Sequence, residues 1–306
     1  MNQFFEELFF NPRWYHFPFV LPLLPLSILY GLLMAIRRVF AKAKDFNLPI
    51  VSIGNLVVGG SGKTPFAISL IEHLDKRGYE DIFYISRGYG RRSKGLVVVK
   101  TSREIKCSVE VSGDESMLVA EACNCSVIVA EDRVVAIENA KSLGAKIIIL
   151  DDAFSKVSIK KLDILLEPAR ITNYLPLPAG PFREFFFTRG VADLLAQEGR
   201  EYKRVVSFEG LEKRMLLLSA ISNPKRLLPY LPEGVVGSYF LQDHAYFKKS
   251  EIIDKMEEYQ ADSLLVTQKD YVKLKDYNLP ISVMKLQLDI DKKILERVEK
   301  YINGEF

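Results

Sequence analysis

The chain has 306 residues, of which 48% are hydrophobic and 26% are charged, and these proportions are ordinary for a globular protein of about two domains. Its formal net charge of +3, without a motif that interleaves aromatic and basic residues, gives no support for a nucleic-acid partner. The three cysteines, Cys107, Cys123 and Cys125, are odd in number and lack the spacing of zinc ligands. We therefore expect reduced cytosolic thiols and no zinc site.

The first segment, residues 1–45, contains a stretch without charged side chains from Trp14 to Ile36. About 20 apolar residues cross a bilayer core as a straight helix, but an interior proline costs a helix about 3 kcal/mol. Pro22 and Pro25 should interrupt the helix and leave an unbroken piece of 11 residues, Leu26–Ile36, about 16 Å long. We expect a membrane-associated, partly inserted segment, with a buried hairpin as the alternative. The basic residues that would keep the rest of the chain in the cytoplasm are Arg37, Arg38, Lys42 and Lys44.

The second segment, residues 46–204, opens with an apolar strand and a glycine-rich loop that ends in Lys63 and Thr64. This order is typical of a P-loop, whose backbone N–H groups surround the phosphates of ATP. Lys63 would add a positive charge at the β- and γ-phosphates, and the Thr64 hydroxyl would ligate Mg²⁺. Val57 stands where the strict motif has glycine, so we expect a longer or differently shaped loop. The predicted nucleotide-binding residues are Gly59, Gly60, Ser61, Gly62, Lys63 and Thr64.

Apolar runs alternate with amphipathic stretches, a pattern that predicts an α/β fold with a P-loop NTPase-like parallel sheet and flanking helices. The predicted strands of residues 46–204 are Ile50–Ile53, Ile82–Ile85, Leu96–Val99, Ser126–Val129, Ile147–Leu150 and Ile164–Leu165. The predicted helices there are Pro65–Lys76, Glu115–Ala122 and Arg133–Leu143, and residues 174–186 form an ordered loop. Residues 205–306 are predicted to form a smaller α/β domain. Its predicted elements are the strands Met215–Ser219, Ser263–Thr267 and Ser282–Leu288 and the helices Pro224–Leu231, Lys249–Tyr259 and Lys292–Ile302.

Polar groups follow several of the predicted strands. Residues 86–93 carry three arginines beside glycines, which suits contact with an anion or, alternatively, a solvated basic loop. Asp114 precedes an apolar helix and is either an ordinary N-cap or a general base for a hydroxyl nucleophile. Asp151 and Asp152 end a continuous apolar strand, where parallel sheets bind ligands, and they predict a Mg²⁺ site rather than a surface turn. A lone histidine such as His244 is more often structural than catalytic.

Together these segments resemble the lipid A 4′-kinases (tetraacyldisaccharide 4′-kinases) of Gram-negative bacteria, from the apolar N-terminal segment to the end of the chain. The most specific segment runs from Ser52 to Pro65, because Val57 and the preceding Ile-Gly-Asn-Leu are that family's own departure from the strict P-loop. The other segments that carry the resemblance are residues 86–89, 113–115, 130–133, 150–152, 177–180, 183–184 and 243–244, with Thr267, Lys269 and Asp270.

The resemblance implies a membrane-associated P-loop kinase that uses ATP and Mg²⁺. Such an enzyme transfers the γ-phosphate of ATP to the 4′-hydroxyl of a tetraacylated glucosamine disaccharide 1-phosphate, giving lipid IVA. Its partners would be this lipid and the inner membrane, at the cytoplasmic face, and no protein or nucleic acid is implied. By the same resemblance, Asp114 would be the general base assisted by His244, Arg183 would contact the substrate or the transferring phosphate, and the phosphates and metal would be held by Lys63, Thr64, Asp151 and Asp152.

One stretch departs from the family's pattern. The family commonly continues Asp-Asp-Gly-Phe-Gln-His, whereas this chain has Ala153, Phe154, Ser155 and Lys156 after its two aspartates. Lys156 would supply a cation but cannot reproduce the geometry of an imidazole. The main alternative function is a membrane-linked P-loop ATPase or GTPase, which would need no hydroxyl acceptor. A lipid-binding scaffold with a degenerate P-loop is disfavoured by the intact Gly-Lys-Thr.

Overall fold

The computed structural model describes residues 3–59, 62–101, 104–221, 224–243 and 245–305. The strands, in chain order, are β1 (Ile50–Gly54), β2 (Ile82–Ser86), β3 (Val97–Thr101), β4 (Glu104–Ile105), β5 (Ser126–Val129), β6 (Ile147–Asp151), β7 (Leu162–Glu167), β8 (Leu194–Gln197), β9 (Tyr202–Glu209), β10 (Met215–Ser219), β11 (Val235–Phe240), β12 (Ser263–Thr267) and β13 (Ile281–Ile290). The helices are α1 (Gln3–Phe10), α2 (Phe17–Phe40), α3 (Lys63–Lys76), α4 (Val109–Ser112), α5 (Asp114–Ala122), α6 (Arg133–Ser142), α7 (Lys249–Glu258), α8 (Gln268–Leu274) and α9 (Lys292–Ile302).

The chain forms two compact units, and each is built from separate stretches of sequence. Unit 1 comprises Met1–Ile82, Gly144–Lys203 and Ile290–Phe306, and unit 2 comprises Phe83–Leu143 and Arg204–Asp289. This division by compactness differs from the consecutive segments expected at residues 45/46 and 204/205. The division of the chain into three consecutive segments therefore remains a prediction.

Unit 1 contains parallel strands in the order β6-β1-β7-β8. Every residue of β1 and β6 is buried, as their continuous apolar sequences require in a sheet covered on both faces. Helix α3 follows β1 and buries Phe66, Leu70 and Leu74 completely. Helix α9 is tied to α3 by Glu299, which contacts His73 at 2.6 Å and Arg77 at 3.2 Å.

Unit 2 contains two groups of strands. In the first, with the order β4-β3-β5-β2, β2 and β5 are parallel while β3 pairs antiparallel with both neighbours. The second is a five-stranded sheet with the order β11-β10-β12-β13-β9, in which β10 is parallel to β11 and β12, and β12 to β13. β10 is buried along its whole length and its side chains lie in the hydrophobic core.

Helix α2 corrects the expectation that Pro22 and Pro25 interrupt the N-terminal helix. It runs without a break through both prolines from Phe17 to Phe40, 24 residues or about 36 Å. Each proline removes one backbone hydrogen bond, and at positions i and i+3 both rings lie on the same side, so the helix is weakened on one side but not ended. Residues Trp14–Phe40 are long and apolar enough to cross a membrane, and an 18-residue stretch within them reaches a mean hydropathy of 2.3.

One face of α2 nevertheless packs on unit 1. Ser27 and Gly31 are buried, and the Ser27 hydroxyl accepts a hydrogen bond from the Ala179 backbone N–H at 2.9 Å. A Cβ on Gly31 would lie 2.5 Å from the end of the Phe185 ring, so a larger residue here would require that ring to move. Near the end of the helix, Arg38 forms an ion pair with the buried Glu184 at 2.9 Å. The rest of the helix surface exposes apolar side chains.

Candidate active site

The glycine-rich loop joins β1 to α3. Gly59 and Gly62 have positive φ angles of 102° and 78°, which side chains rarely adopt, so glycine is needed at both positions. Helix α3 begins at Lys63, two residues earlier than predicted, and Thr64 is buried in its first turn. A helix N-terminus after a glycine-rich loop suits an anion, because its backbone N–H groups and dipole favour negative charge. The predicted Gly60 and Ser61 lie outside the described residues.

A cluster of charged side chains lies beside this loop within unit 1. The Lys63 ammonium donates to Asn55 Oδ1 at 3.1 Å and lies 3.6 Å from Asp152 Oδ1. Arg183 Nη1 donates to both carboxylate oxygens of Asp152, each at 2.8 Å. The Lys63 side chain is 14% exposed, whereas that of Asp152 is 37% exposed and that of Arg183 is 31% exposed. The Asp152 carboxylate and the Arg183 guanidinium, at the rim of the cluster, are therefore accessible to a ligand. The structure therefore brings three of the predicted site residues together.

The position of Arg183 is fixed by backbone pairing with the chain that enters the loop. Arg183 N–H donates to the Leu56 carbonyl at 2.7 Å, and Val58 N–H donates to the Pro181 carbonyl at 2.9 Å. Between these bonds, Val57 pairs with Phe182. Val57 and Phe182 are buried in one hydrophobic cluster. Val57 thus holds the arginine-bearing segment against the loop, which is a physical reason for valine where the strict motif has glycine.

The two aspartates at the end of β6 differ in environment. Asp151 is buried, and it lies opposite Ile53 in the parallel pairing of β6 with β1, close to the start of the loop. Asp152 has a φ of +48°, an uncommon conformation for a residue with a side chain, and its N–H donates to the Ile53 carbonyl at 2.9 Å. This turn places the Asp152 side chain next to Lys63 and Arg183. Among the described residues there is no group of three or more His, Cys, Asp or Glu side chains arranged to hold a metal ion.

The stretch that departs from the family's pattern is partly buried. Ala153 and Phe154 are buried, and the guanidinium of Arg38 lies 4.6 Å from the centre of the Phe154 ring. A Cβ on Gly54 would lie 2.5 Å from Phe154 Cβ, so glycine at the end of β1 is required by this packing. Phe154, which this chain shares with the family's pattern, therefore packs against the end of β1, directly before the glycine-rich loop.

A second cluster lies in unit 2 around Asp114. Gly113, with a φ of 83°, is the residue before α5, and Asp114 is the first residue of the helix, where its Oδ1 accepts from the Glu115 N–H at 3.0 Å. The N-cap position is thus occupied by Gly113, not by Asp114 as one of the two interpretations held. Asp114 is 5% exposed, and its Oδ2 lies 3.3 Å from Lys273 Nζ and 3.7 Å from Lys269 Nζ.

Sequence reasoning missed helix α8, which carries these two lysines, and it did not single out Lys273. A signal was present: Thr267 and Asp270 have the spacing of a capping box. In the structure the Thr267 hydroxyl caps α8 by accepting from the Asp270 N–H at 3.2 Å. Only seven residues long, α8 has too little periodicity to be recognised by its apolar pattern.

Other predicted groups have local roles or are not described. Asp132 is the N-cap of α6 and accepts from the Val134 N–H at 2.8 Å. In the arginine-rich loop, the side chain of Arg91 is 3% exposed and forms an ion pair with Glu131 at 2.6 Å, and Arg92 lies over the ring of Tyr246. His244 lies outside the described residues.

Comparison with known proteins identifies the family of the chain. A family model described as tetraacyldisaccharide-1-P 4′-kinase matches residues 19–303. The chain belongs to this kinase family. The tetraacyldisaccharide 4′-kinase of Aliarcobacter butzleri is 44% identical over 98% of this chain and 96% of the relative. That of Helicobacter pylori (strain HPAG1) is 41% identical over 98% and 95%, and that of Campylobacter jejuni (strain NCTC 11168) is 40% identical over 97% and 95%.

The kinase also resembles a solved structure. The crystal structure of LpxK from Aquifex aeolicus in complex with ATP superimposes with a TM-score of 0.78 at 26% identity, covering 94% of this chain and 99% of that one. The predicted fold class is thereby confirmed, including the apolar helix at the N-terminus. The family assignment supports a kinase of lipid A biosynthesis over the alternative of a membrane-linked ATPase or GTPase.

Proposed function

We propose that the kinase transfers the γ-phosphate of ATP, with Mg²⁺, to the 4′-hydroxyl of a tetraacylated glucosamine disaccharide 1-phosphate at the cytoplasmic face of the inner membrane. The observation that carries this proposal is the cluster of Lys63, Asp152 and Arg183 beside the glycine-rich loop. It combines a phosphate-binding loop with two cations and a carboxylate, and phosphoryl transfer needs little beyond positioning and charge stabilisation.

The loop and the two cations would bind the phosphates. Backbone N–H groups of residues 59–62 and the first turn of α3 would surround them. Lys63 and Arg183 share Asp152 as a partner, at 3.6 Å and 2.8 Å. Because all three side chains are partly exposed, the two cations would exchange this carboxylate for phosphate oxygens at small cost. They would then offset the negative charge on the transferring group.

The residues around the loop fit a Mg²⁺ ion. Protein-bound Mg²⁺ in kinases takes one or two carboxylates and obtains its other ligands from phosphates and water, so a cluster of three acidic residues is not needed. The Thr64 hydroxyl in the first turn of α3 and the Asp151 carboxyl at the end of β6 supply oxygens of the required type. Asp152 accepts from Arg183 through both oxygens, so it would serve the metal through water. Bound Mg²⁺ would supply charge neutralisation at the phosphates.

Asp114 would accept the proton of the sugar hydroxyl. A hydroxyl is a poor nucleophile, and a carboxylate base increases the rate of such a step by about 10²–10⁴-fold. In this transfer, the hydroxyl oxygen forms a bond to the γ-phosphorus, the bond from that phosphorus to the ADP oxygen breaks, and the hydroxyl proton passes to Asp114. The two lysines beside Asp114 favour the ionised form that a base requires. His244 would assist Asp114.

The surface of α2 supports an interfacial position at the membrane. Phe17, Leu29 and Leu33 are more than half exposed, while the opposite face packs on unit 1 through Ser27 and Gly31. A helix held along one side by its own protein is suited to lie in the interface with the other side in the lipid. Basic residues after the apolar stretch would add about 1 kcal/mol each at an anionic surface.

Transfer itself is tested with purified protein, labelled ATP, Mg²⁺ and the disaccharide 1-phosphate lipid in detergent. We expect a phosphate monoester at the 4′-position, formed only when lipid and Mg²⁺ are both present. ATP turnover that neither needs nor modifies the lipid would contradict the proposal.

The membrane position is tested by changing two exposed leucines of α2. Leu29→Gln with Leu33→Gln removes apolar surface worth about 1.5–3 kcal/mol per fully buried side chain, so binding to anionic vesicles should weaken at least tenfold. The matched control, Leu211→Gln with Leu228→Gln, changes leucines of similar exposure in unit 2. Equal vesicle binding by the two double variants would rule out α2 as the binding surface.

A further inference from the structure

Lys273 is a buried lysine that joins two parts of unit 2. Its side chain is 2% exposed, and its ammonium lies 3.3 Å from Asp114 Oδ2 at the start of α5. The same ammonium donates to the Ala245 backbone carbonyl at 3.2 Å. Ala245 belongs to the chain segment that also carries Asp243 and His244. One cation therefore contacts both Asp114, which the family resemblance selects for catalysis, and Ala245, which follows His244 in the sequence.

Helix α8, which carries Lys273, is held in place by a buried carboxylate. Asp270 is fully buried and accepts from Ser219 Oγ at 2.8 Å, from the Ala220 N–H at 3.1 Å and from Thr267 Oγ1 at 2.9 Å. Its Oδ1 also lies 3.9 Å from Lys273 Nζ. Burial raises the pKa of Asp270, and the positive charge of Lys273 opposes that rise. These contacts hold the backbone of α8, from which the Lys273 side chain extends, against the end of β10.

Lys269, one helical turn earlier, contacts the same two parts. Its ammonium lies 3.7 Å from Asp114, 3.2 Å from Glu115 and 3.8 Å from Asp243. Burial alone would lower the pKa of Lys269, but the surrounding carboxylates, Glu115 first among them, raise it overall. Lys269 is therefore a cation in the folded protein at neutral pH, where its ammonium contacts Asp114.

We infer that Lys273, with Lys269 in support, is a positioning residue of the kinase that holds the Asp114 carboxylate ionised and ties its orientation to Asp243 and Ala245. The inference rests on the proposed role of Asp114 as base. Lys273 acts through Asp114 and need not touch the substrate. A base that must meet one hydroxyl in one geometry gains from partners whose own rotamers are fixed by packing, and Lys273 has that support.

A purely structural ion pair is the competing explanation. Breaking a buried pair by removing one partner destabilises a protein whether or not the pair serves catalysis. Stability therefore cannot separate the two explanations, whereas the pH dependence of the rate can. The groups that face Asp114 or its partners and bear on this dependence are Lys269, Asp270 and Lys273 on α8, Glu115 on α5, Asp243 and Tyr246 in the adjoining segment, and Arg92 and Glu110 near Tyr246.

The test compares Lys273→Met with Lys275→Met in the full chain, using lipid transfer at saturating substrates across the pH range. Lys275 also joins the end of α8 to α5, through Glu121 at 2.5 Å, but its side chain is 37% exposed and it does not contact Asp114. With the cation gone, Asp114 would keep its proton to a higher pH. We expect the acid side of the profile to move up by about one pH unit in Lys273→Met, so that the rate falls by up to about tenfold on the acid side and is recovered at higher pH. Lys275→Met should keep the parent profile.

Three further variants complete the test. Lys273→Arg keeps the charge and should keep the position of the acid side of the profile; a shift as large as that of Lys273→Met would overturn the inference. If Lys273→Met does not fold, Lys269→Met, at a position 17% exposed, gives the deciding profile. An unmoved acid side in the folded variant would overturn the inference. Asp114→Asn separates the two proposals: if it keeps the parent rate, the base role fails, whereas an inactive Asp114→Asn beside an unmoved lysine variant refutes the positioning role alone.

Discussion

The carboxylate cluster of unit 1 and that of unit 2 differ in how much water reaches them. Asp152 is 37% exposed and is shared by Lys63 and Arg183 at the rim of the glycine-rich loop. Asp114 is 5% exposed and is paired with Lys273, which is 2% exposed. An exposed ion pair is worth about 0–1 kcal/mol, while breaking a buried one by removing one partner costs about 3–5 kcal/mol.

This difference matches the two tasks that phosphoryl transfer sets. Groups that bind nucleotide must release one partner and accept another in every turnover, so weak, partly hydrated pairs suit them. A base must keep one orientation and one charge state throughout, so a buried pair with fixed partners suits it. Under the proposed roles, the degree of burial would separate the group that exchanges its partners from the group that stays fixed.

The largest expected effect is on Asp114. Asp114→Asn removes the base and should lower lipid transfer by about 10²–10⁴-fold. It also leaves Lys273 facing a neutral side chain, so a lower melting temperature should accompany the loss and rates are measured on folded protein. Asp132→Asn is the matched control, because Asp132 also begins a helix but serves as its N-cap, a role that asparagine retains. Comparable rates for the two variants would refute the base assignment.

Lys63 comes next. Lys63→Ala removes a fixed charge at the transferring phosphate and should lower transfer by at least about 10²-fold, the effect of losing one preorganised electrostatic group. Its side chain belongs to the exposed cluster, so the melting temperature should change little. Lys160→Ala, at an exposed lysine paired with Asp45, is the control and should retain the parent rate. Near-normal turnover in folded Lys63→Ala would falsify the P-loop assignment.

The smallest expected effect is the loss of stability on changing Arg183. Arg183→Gln removes an ion pair whose two side chains are about one-third exposed, so the melting temperature should fall by no more than about 3 °C. Lys273→Met leaves Asp114 and Asp270 buried without their cation, so its melting temperature should fall considerably further in the same thermal scan. Equal losses would show that burial does not distinguish the two clusters.

Several elements were predicted to within a residue because their signal is local. β5, β10, β12 and α9 have the predicted bounds, since a strand buried on both faces must be a continuous apolar run and an amphipathic helix repeats its apolar positions. Others needed information from outside their own residues. β3 pairs antiparallel within its group, and α2 continues through two prolines while one side packs on residues 179–185.

The sequence alone determined the family, the phosphate loop and the identity of the candidate groups, because backbone conformation at Gly62 and the chemistry of Lys63 or Asp114 depend on adjacent residues and residue type. It did not determine which cation each carboxylate meets. Asp152 meets Arg183 and Asp114 meets Lys273 across long stretches of chain, so only folding selects these partners. Folding also sets how far water reaches each pair, and that burial decides whether a pair exchanges or stays fixed.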